Sequence, residues 1–233
     1  MAVAFDAASR STTGFDNGPI SYTHTPVGVP RAVVVQIGME ATTDQITGVT
    51  YGGVAMTRVT TRALGSAGQV FTYFLGSGIP TGPQTVAVTA TAGSNDWAAC
   101  TRTFTAAANT TATAVTPVTA TGSTANPSLS ISPTAQAAIV YALWDAAAAP
   151  VTTVQAGSTH RFGNDFGVDC TQWADKTVAG AGATTIGYTL AAVQWAHQAV
   201  AVQEVAGPAT RVPLLRRRSG RPVRHGNARA RVR

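Results

Sequence analysis

The sequence predicts an all-β fold: a two-sheet antiparallel β-sandwich, jelly-roll-like, over residues 1–206, followed by an extended Arg-rich C-terminal arm over 207–233. Three observations predict it. Residues 85–91 alternate strictly, with Val86, Val88 and Ala90 on one face and Thr85, Ala87, Thr89 and Thr91 on the other, the period of a strand with one face on a core. Turn residues punctuate the chain at short spacings, Gly52 and Gly53 in one place and Gly78, Pro80, Gly82 and Pro83 in another. The hydrophobic share of 45% is largely Ala and Val, which suits closely packed strands rather than helices with large apolar faces, and the stretch 46–91 holds no convincing helix.

Taken in order, residues 3–8 read as a short edge strand, followed by a Ser, Thr, Asp, Asn and Gly cluster over 11–18. Residues 20–25 form the next strand. Pro26, Gly28 and Pro30 then lead into 31–39, a central strand whose Val33, Val35, Ile37 and Met39 face the core while Gln36 and Gly38 lie opposite. The stretch 46–91 supplies several strands in succession. Residues 96–105 alternate again, with Ala98, Cys100, Arg102 and Phe104 on one side; Arg102 requires either a bend or a guanidinium reaching the rim. Residues 106–127, without a charge, read as a long exposed connection holding at most one irregular strand. Strands follow at 128–132 and at 136–144, the latter apolar on both faces and therefore interior. Residues 156–176 read as loop-rich, and two last strands cover 183–190 and 194–205.

Chain length fits one large β domain. No run of about 18 apolar residues is present, so no membrane span is expected. The start MAVAFDAASR lacks a basic segment followed by an apolar one, which predicts synthesis and retention in a cytoplasm until assembly or lysis. Cys100 and Cys170 are expected to be idle buried thiols, with a disulfide as the alternative. The formal charge of +6 hides a division. Residues 207–233 hold nine Arg and no Asp or Glu, whereas residues 1–206 hold seven basic and all ten acidic residues, giving about +9 on the arm and about −3 on the body.

Catalytic patterns are sparse. Glu40 and Glu204 are the sole glutamates, no two carboxylates share a strand face at short spacing as a glycosidase requires, and no G-x-S-x-G elbow is present. The reading is therefore non-enzymatic, with no cofactor. His24, His160, His197 and His225 are far apart and no cysteine pair has zinc spacing, so no metal site is assigned. Asn164, Asp165 and Asp169 suit a turn whose side chains bond their own backbone better than a calcium loop. His160, Arg161, Phe162, Phe166 and Trp173 form the densest mixture of aromatic and polar residues in the body, and two readings stand: a glycan- or partner-stacking surface, or a cover over one end of the core. His197 reads as a satisfied core or interface histidine.

The arm carries Arg211, Arg216, Arg217, Arg218, Arg221, Arg224, Arg229, Arg231 and Arg233, with Val212, Leu214 and Leu215 as an apolar latch at its start. Three prolines, several glycines and no helical period predict an extended segment that orders on docking. Its guanidiniums suit phosphate, yet no aromatic is interleaved for base stacking, and an acidic protein neighbour fits as well.

The succession ISYTHT, RAVVVQIGM, ITGVTYGGVAMTRV and VFTYFLGSGIPTGPQTVAVTAT, with a looser TFTA at 103–106, resembles a broad family of β-sandwich modules of bacteriophage virion proteins and bacterial surface proteins. The resemblance covers most of 20–205 and excludes the arm. It implies an adhesive, decorating or structural module with no catalytic set. The expectation is a phage virion structural protein, a capsid decoration or minor capsid protein held by its arm to major capsid or other virion proteins, and a homo-oligomer. Alternatives are a minor tail protein, a module adhering to a host-surface glycan, and a capsid protein whose arm contacts nucleic acid, the packaged genome.

Overall fold

The computed structural model describes residues 2–12, 19–65, 67–91, 96–107, 110–147, 150 and 153–204. The arm, with every arm residue named above, lies outside the described residues. Within them the chain is all-β: sixteen strands in four antiparallel sheets, one short 3-10 turn at Ala112–Ala114, and no α-helix.

The first half contributes β1 (Ala4–Arg10), β2 (Ile20–His24), β3 (Ala32–Met39), β4 (Ile46–Tyr51), β5 (Val54–Ala55), β6 (Thr57–Leu64), β7 (Gly68–Leu75), β8 (Gln84–Ala90) and β9 (Trp97–Thr105). They build an inner sheet ordered β1-β9-β3-β7-β6 and an outer sheet ordered β2-β8-β4-β5. The second half contributes β10 (Pro117–Gly122), β11 (Ser128–Ile131), β12 (Ala137–Asp145), β13 (Ser158–Asp165), β14 (Cys170–Val178), β15 (Thr184–Gly187) and β16 (Trp195–Gln203). Its inner sheet runs β10-β16-β12-β14-β13 and its outer sheet is the pair β11-β15. Read strand by strand, the order is the same twice. Among the described residues the second half has no counterparts of β4 and β5; one isolated bridge, Val154 to Tyr188, lies in that interval.

The expected single pair of sheets is thus corrected to four sheets. Each inner sheet is covered on both faces, once by its own outer sheet and once by the other inner sheet. All eight residues of β3 are buried: Val33, Val35, Ile37 and Met39 join the cluster beneath the outer sheet, while Ala32 and Val34 join a second cluster with Ala138, Val140, Val200 and Val202. Gln36 and Gly38, expected on the open face, lie in this seam between the halves. So does Arg102, which neither bends its strand nor reaches the rim. It is fully buried, its Nη1 donating to Ala174 O at 2.7 Å and to Tyr141 O at 3.4 Å, and its Nη2 donating to Gln36 Oε1.

The seam is reciprocal. Edge strand β1 meets β13 through Arg10, which donates to Gly163 O, and at the other edge Arg62 on β6 donates to Thr121 Oγ1 on β10 at 3.0 Å. Since β10 stands where β1 does and β13 where β6 does, the two edges are equivalent contacts, as in a two-fold dimer written in one chain. Missing side chains permit the close approach. A Cβ on Gly68 would sit 2.1 Å from the Trp144 ring, and one on Gly38 2.0 Å from Thr171 Oγ1.

Candidate functional site

The segment 156–176, expected as loop, is the hairpin β13–β14, and its five singled-out side chains are placed by that pairing. Residues on β14 alternate between the two faces of the inner sheet, which sends Trp173 into the seam with Val70, Ala98, Cys100, Ala142, Trp144, Phe166 and Ala196. Trp173 and Phe166 are fully buried, so neither offers a face to a sugar ring, and the core-cover reading describes them. The turn is held by Asp165 Oδ1 accepting from Gly167 N at 2.6 Å, and Phe166 N donates to Asp169 O at 2.9 Å. Asp165 therefore acts on its own backbone, the turn role expected of it, whereas Asn164, expected to do the same, is buried with both side-chain amide atoms unpartnered.

The remaining three sit on the edge strand β13 against β1. Arg161 pairs side-on with Asp175, Nη2 to Oδ2 at 2.9 Å, and its guanidinium carbon lies 3.5 Å from the Phe5 ring centre. Phe162, half-buried, carries the Arg10 guanidinium at 5.6 Å. His160 is half-buried, and burial lowers its pKa. The two aromatic faces nearest the surface are thus stacked against arginines of the chain itself, each contact contributing about 0.5–1 kcal/mol at such sites. This edge joins the halves.

The sequence reading passed over a polar chain in the first half. Ile20, Tyr22 and His24 share one face of β2, which turns His24 inward. Its Nδ1 lies 3.0 Å from Ser9 Oγ and its Nε2 3.1 Å from Thr103 Oγ1, which in turn donates to Asp6 Oδ2 at 2.8 Å. Asp6 Oδ1 accepts from Gly28 N at 2.6 Å, so the chain fastens the β2–β3 turn to the edge strand. Burial lowers the His24 pKa to about 4, with Asp6 pulling upward. The imidazole is neutral at pH 7. Because Thr103 stands between carboxylate and imidazole, the series does not assemble the direct Ser–His–Asp contacts of a hydrolase; it satisfies a buried imidazole.

In the second half, His197 is buried between Tyr141 and Tyr188, ring centres 5.8 and 5.6 Å away, and neither ring nitrogen has a hydrogen-bond partner. The expected satisfied histidine is corrected to an unpartnered one. Its pKa falls to about 3 through burial. Cys100 and Cys170 are both buried free thiols. Among the described residues no three His, Cys, Asp or Glu side chains converge closely enough to hold a metal ion. No protein family, curated protein or solved structure matches this chain.

Proposed function

We propose that this protein is a structural, non-enzymatic component of a bacteriophage virion, a capsid decoration or minor capsid protein held on the particle by residues 207–233. The observation that carries the reading is the division of charge, nine arginines with no acid on the arm against a body of about −3. A segment of that composition has no core to join and suits docking on an acidic partner. The sandwich resemblance of residues 20–205 supports a virion setting. So does strand order: with β6 set aside, the first half runs 1-8-3-6 in its inner sheet and 2-7-4-5 in its outer one when its eight remaining strands are renumbered, a jelly-roll-like arrangement of which the second half keeps the inner sheet and the 2-7 pair.

The test is removal of the arm. Particles assembled with protein lacking 207–233 should lose it, while the truncated body remains soluble with unchanged β-sheet circular dichroism. Full occupancy without the arm would overturn the anchoring role. The nine arginines also favour a second reading, in which the arm contacts the genome; salt-steep DNA or RNA binding by the full-length protein, together with an arm shielded from protease inside intact particles, would select it. Adhesion to a host glycan loses support, since Trp173 and Phe166 offer no stacking face.

A further inference from the structure

One end of the seam between the halves opens as a cleft of about 360 Å³, to which the first half gives Glu40 and the second Trp144, Val168 and Asp169. Asp169 is 4% exposed, and its Oδ1 has no hydrogen-bond partner. Its carboxyl is pushed up to about 7, first by burial and then by Glu40, Asp96 and Asp145, with the neighbouring Trp144 side chain pulling it back in part. Neither Glu40 nor Asp169 forms a salt bridge among the described residues. A buried carboxylate facing other carboxylates is a position that calls for a cation. Among the described residues no three acidic groups converge on one point, as a metal ion would require. A guanidinium does fit, since its planar fork of donors reaches carboxylate oxygens on the two walls of a cleft, Glu40 on one and Asp169 on the other.

We propose that this cleft takes an arginine side chain from the arm of the same chain, from the run Arg216 to Arg218. Charge complementarity points there, as does reach. The described chain ends at Glu204, beside Gln136 and Ala107, at the end of the seam away from the cleft. Strand β16, nine residues long, spans the interval between the two ends, roughly 30 Å. The twelve residues from Glu204 to Arg216 extend to about 40 Å, enough to return along the body. Tethering raises the local concentration of the arm over that of any free partner. The proposal rests on the arm as a docking element and adds that it parks on its own body before engaging the particle.

Limited trypsin digestion of the full-length protein at low ionic strength tests it, with cleavage after 216–218 followed by mass spectrometry. Asp169→Asn and Glu40→Gln should each speed that cleavage about tenfold, and raising salt to about 0.5 M should do the same to the unmodified protein. Asp44→Asn, which removes a carboxylate outside the cleft lining that is already paired with Arg58, should leave the rate unchanged. Equal rates for wild type and both cleft variants would overturn the proposal, as would a wild-type rate indifferent to salt. Protection that grows with protein concentration would also overturn it, in favour of the arm of a second copy. Loss of arm protection with particle binding intact separates failure of this proposal from failure of the anchoring role.

Discussion

The first half of the chain covers its inner sheet with four outer strands and the second with two, although both inner sheets carry the same five-strand order. The halves differ just as sharply in where they place polar side chains. At register-equivalent positions, opposite Val34 in one half and Val140 in the other, stand Arg102 and Val200. His24 is bonded at both ring nitrogens, whereas His197 is bonded at neither. Apolar burial and strand order therefore suffice to build each half, and polar partners are local additions to a shared frame rather than requirements of it.

Arg102 offers the largest test of that statement. Its guanidinium is buried with three acceptors, Gln36, Ala174 and Tyr141, and no carboxylate in contact. Arg102→Ala removes a long stem and those bonds together and should cost about 3–5 kcal/mol, read as a fall in the urea midpoint. Arg102→Met keeps most of the stem volume and should cost clearly less. At the equivalent place, Val200→Ala should cost about 1–2.5 kcal/mol. Equal losses for Arg102→Ala and Val200→Ala would mean that the guanidinium contributes nothing beyond its packing.

The seam itself comes next. Gly68→Ala places a methyl inside the Trp144 ring volume and should destabilise by about 1–3 kcal/mol. Gly38→Ala meets Thr171 in the same way, and Thr171→Gly should recover much of that loss, a coupling of about 0.5–3 kcal/mol in a double-mutant cycle. Simple additivity of Gly38→Ala and Thr171→Gly would show that the two inner sheets separate enough to absorb the methyl. Such slack would make the halves far more independent than their reciprocal contacts indicate.

Much of the fold was legible from alternation. Residues 85–91 predicted β8, and the doubly apolar run 136–144 predicted an interior β12. What period two cannot reveal is a second covering layer when the residues facing it are polar or small. Gln36 and Gly38 look like an open face, and only Arg102, 66 residues away from Gln36 in sequence, together with Thr171, shows them to be seam. The repeat left faint traces: Trp97 and Trp195 open the last strand of each half, and Pro19 and Pro127 precede β2 and β11. His24 shares the face of Ile20 in β2, yet its partners Ser9, Thr103 and Asp6 come from two other strands and carry no local signal. For 160–173, composition identified the aromatic cluster, but whether Trp173 faced water or the seam depended on the pairing of β14 with β12.

The histidines give the finest comparison, because both titrate in the same direction but only one is bonded. The His24 pKa is about 4 and that of His197 about 3 in the folded chain, each below the ordinary 6.5. A depressed histidine leaves the unfolded state binding the extra proton, so stability is lost as pH falls from 6.5 toward the folded value, at about 1.4 kcal/mol per pH unit for each group. His197→Leu removes one such slope. It leaves no hydrogen-bond partner stranded, so stability at pH 7 should change by less than about 1.5 kcal/mol while the drop between pH 6.5 and pH 5 becomes shallower. His24→Leu removes an equal slope but leaves Ser9 and Thr103 each short of a partner, which should cost about 1–3 kcal/mol at pH 7. Asp169, raised to about 7 from 3.8, works the other way, its protonation favouring the fold as pH falls through that interval. That contribution is common to wild type and both variants and cancels in the difference. Urea midpoints at pH 7 and pH 5 for the three proteins decide the matter. Curves for His197→Leu and wild type that run parallel would mean that His197 takes up its proton inside the fold, which requires a partner for at least one of its ring nitrogens.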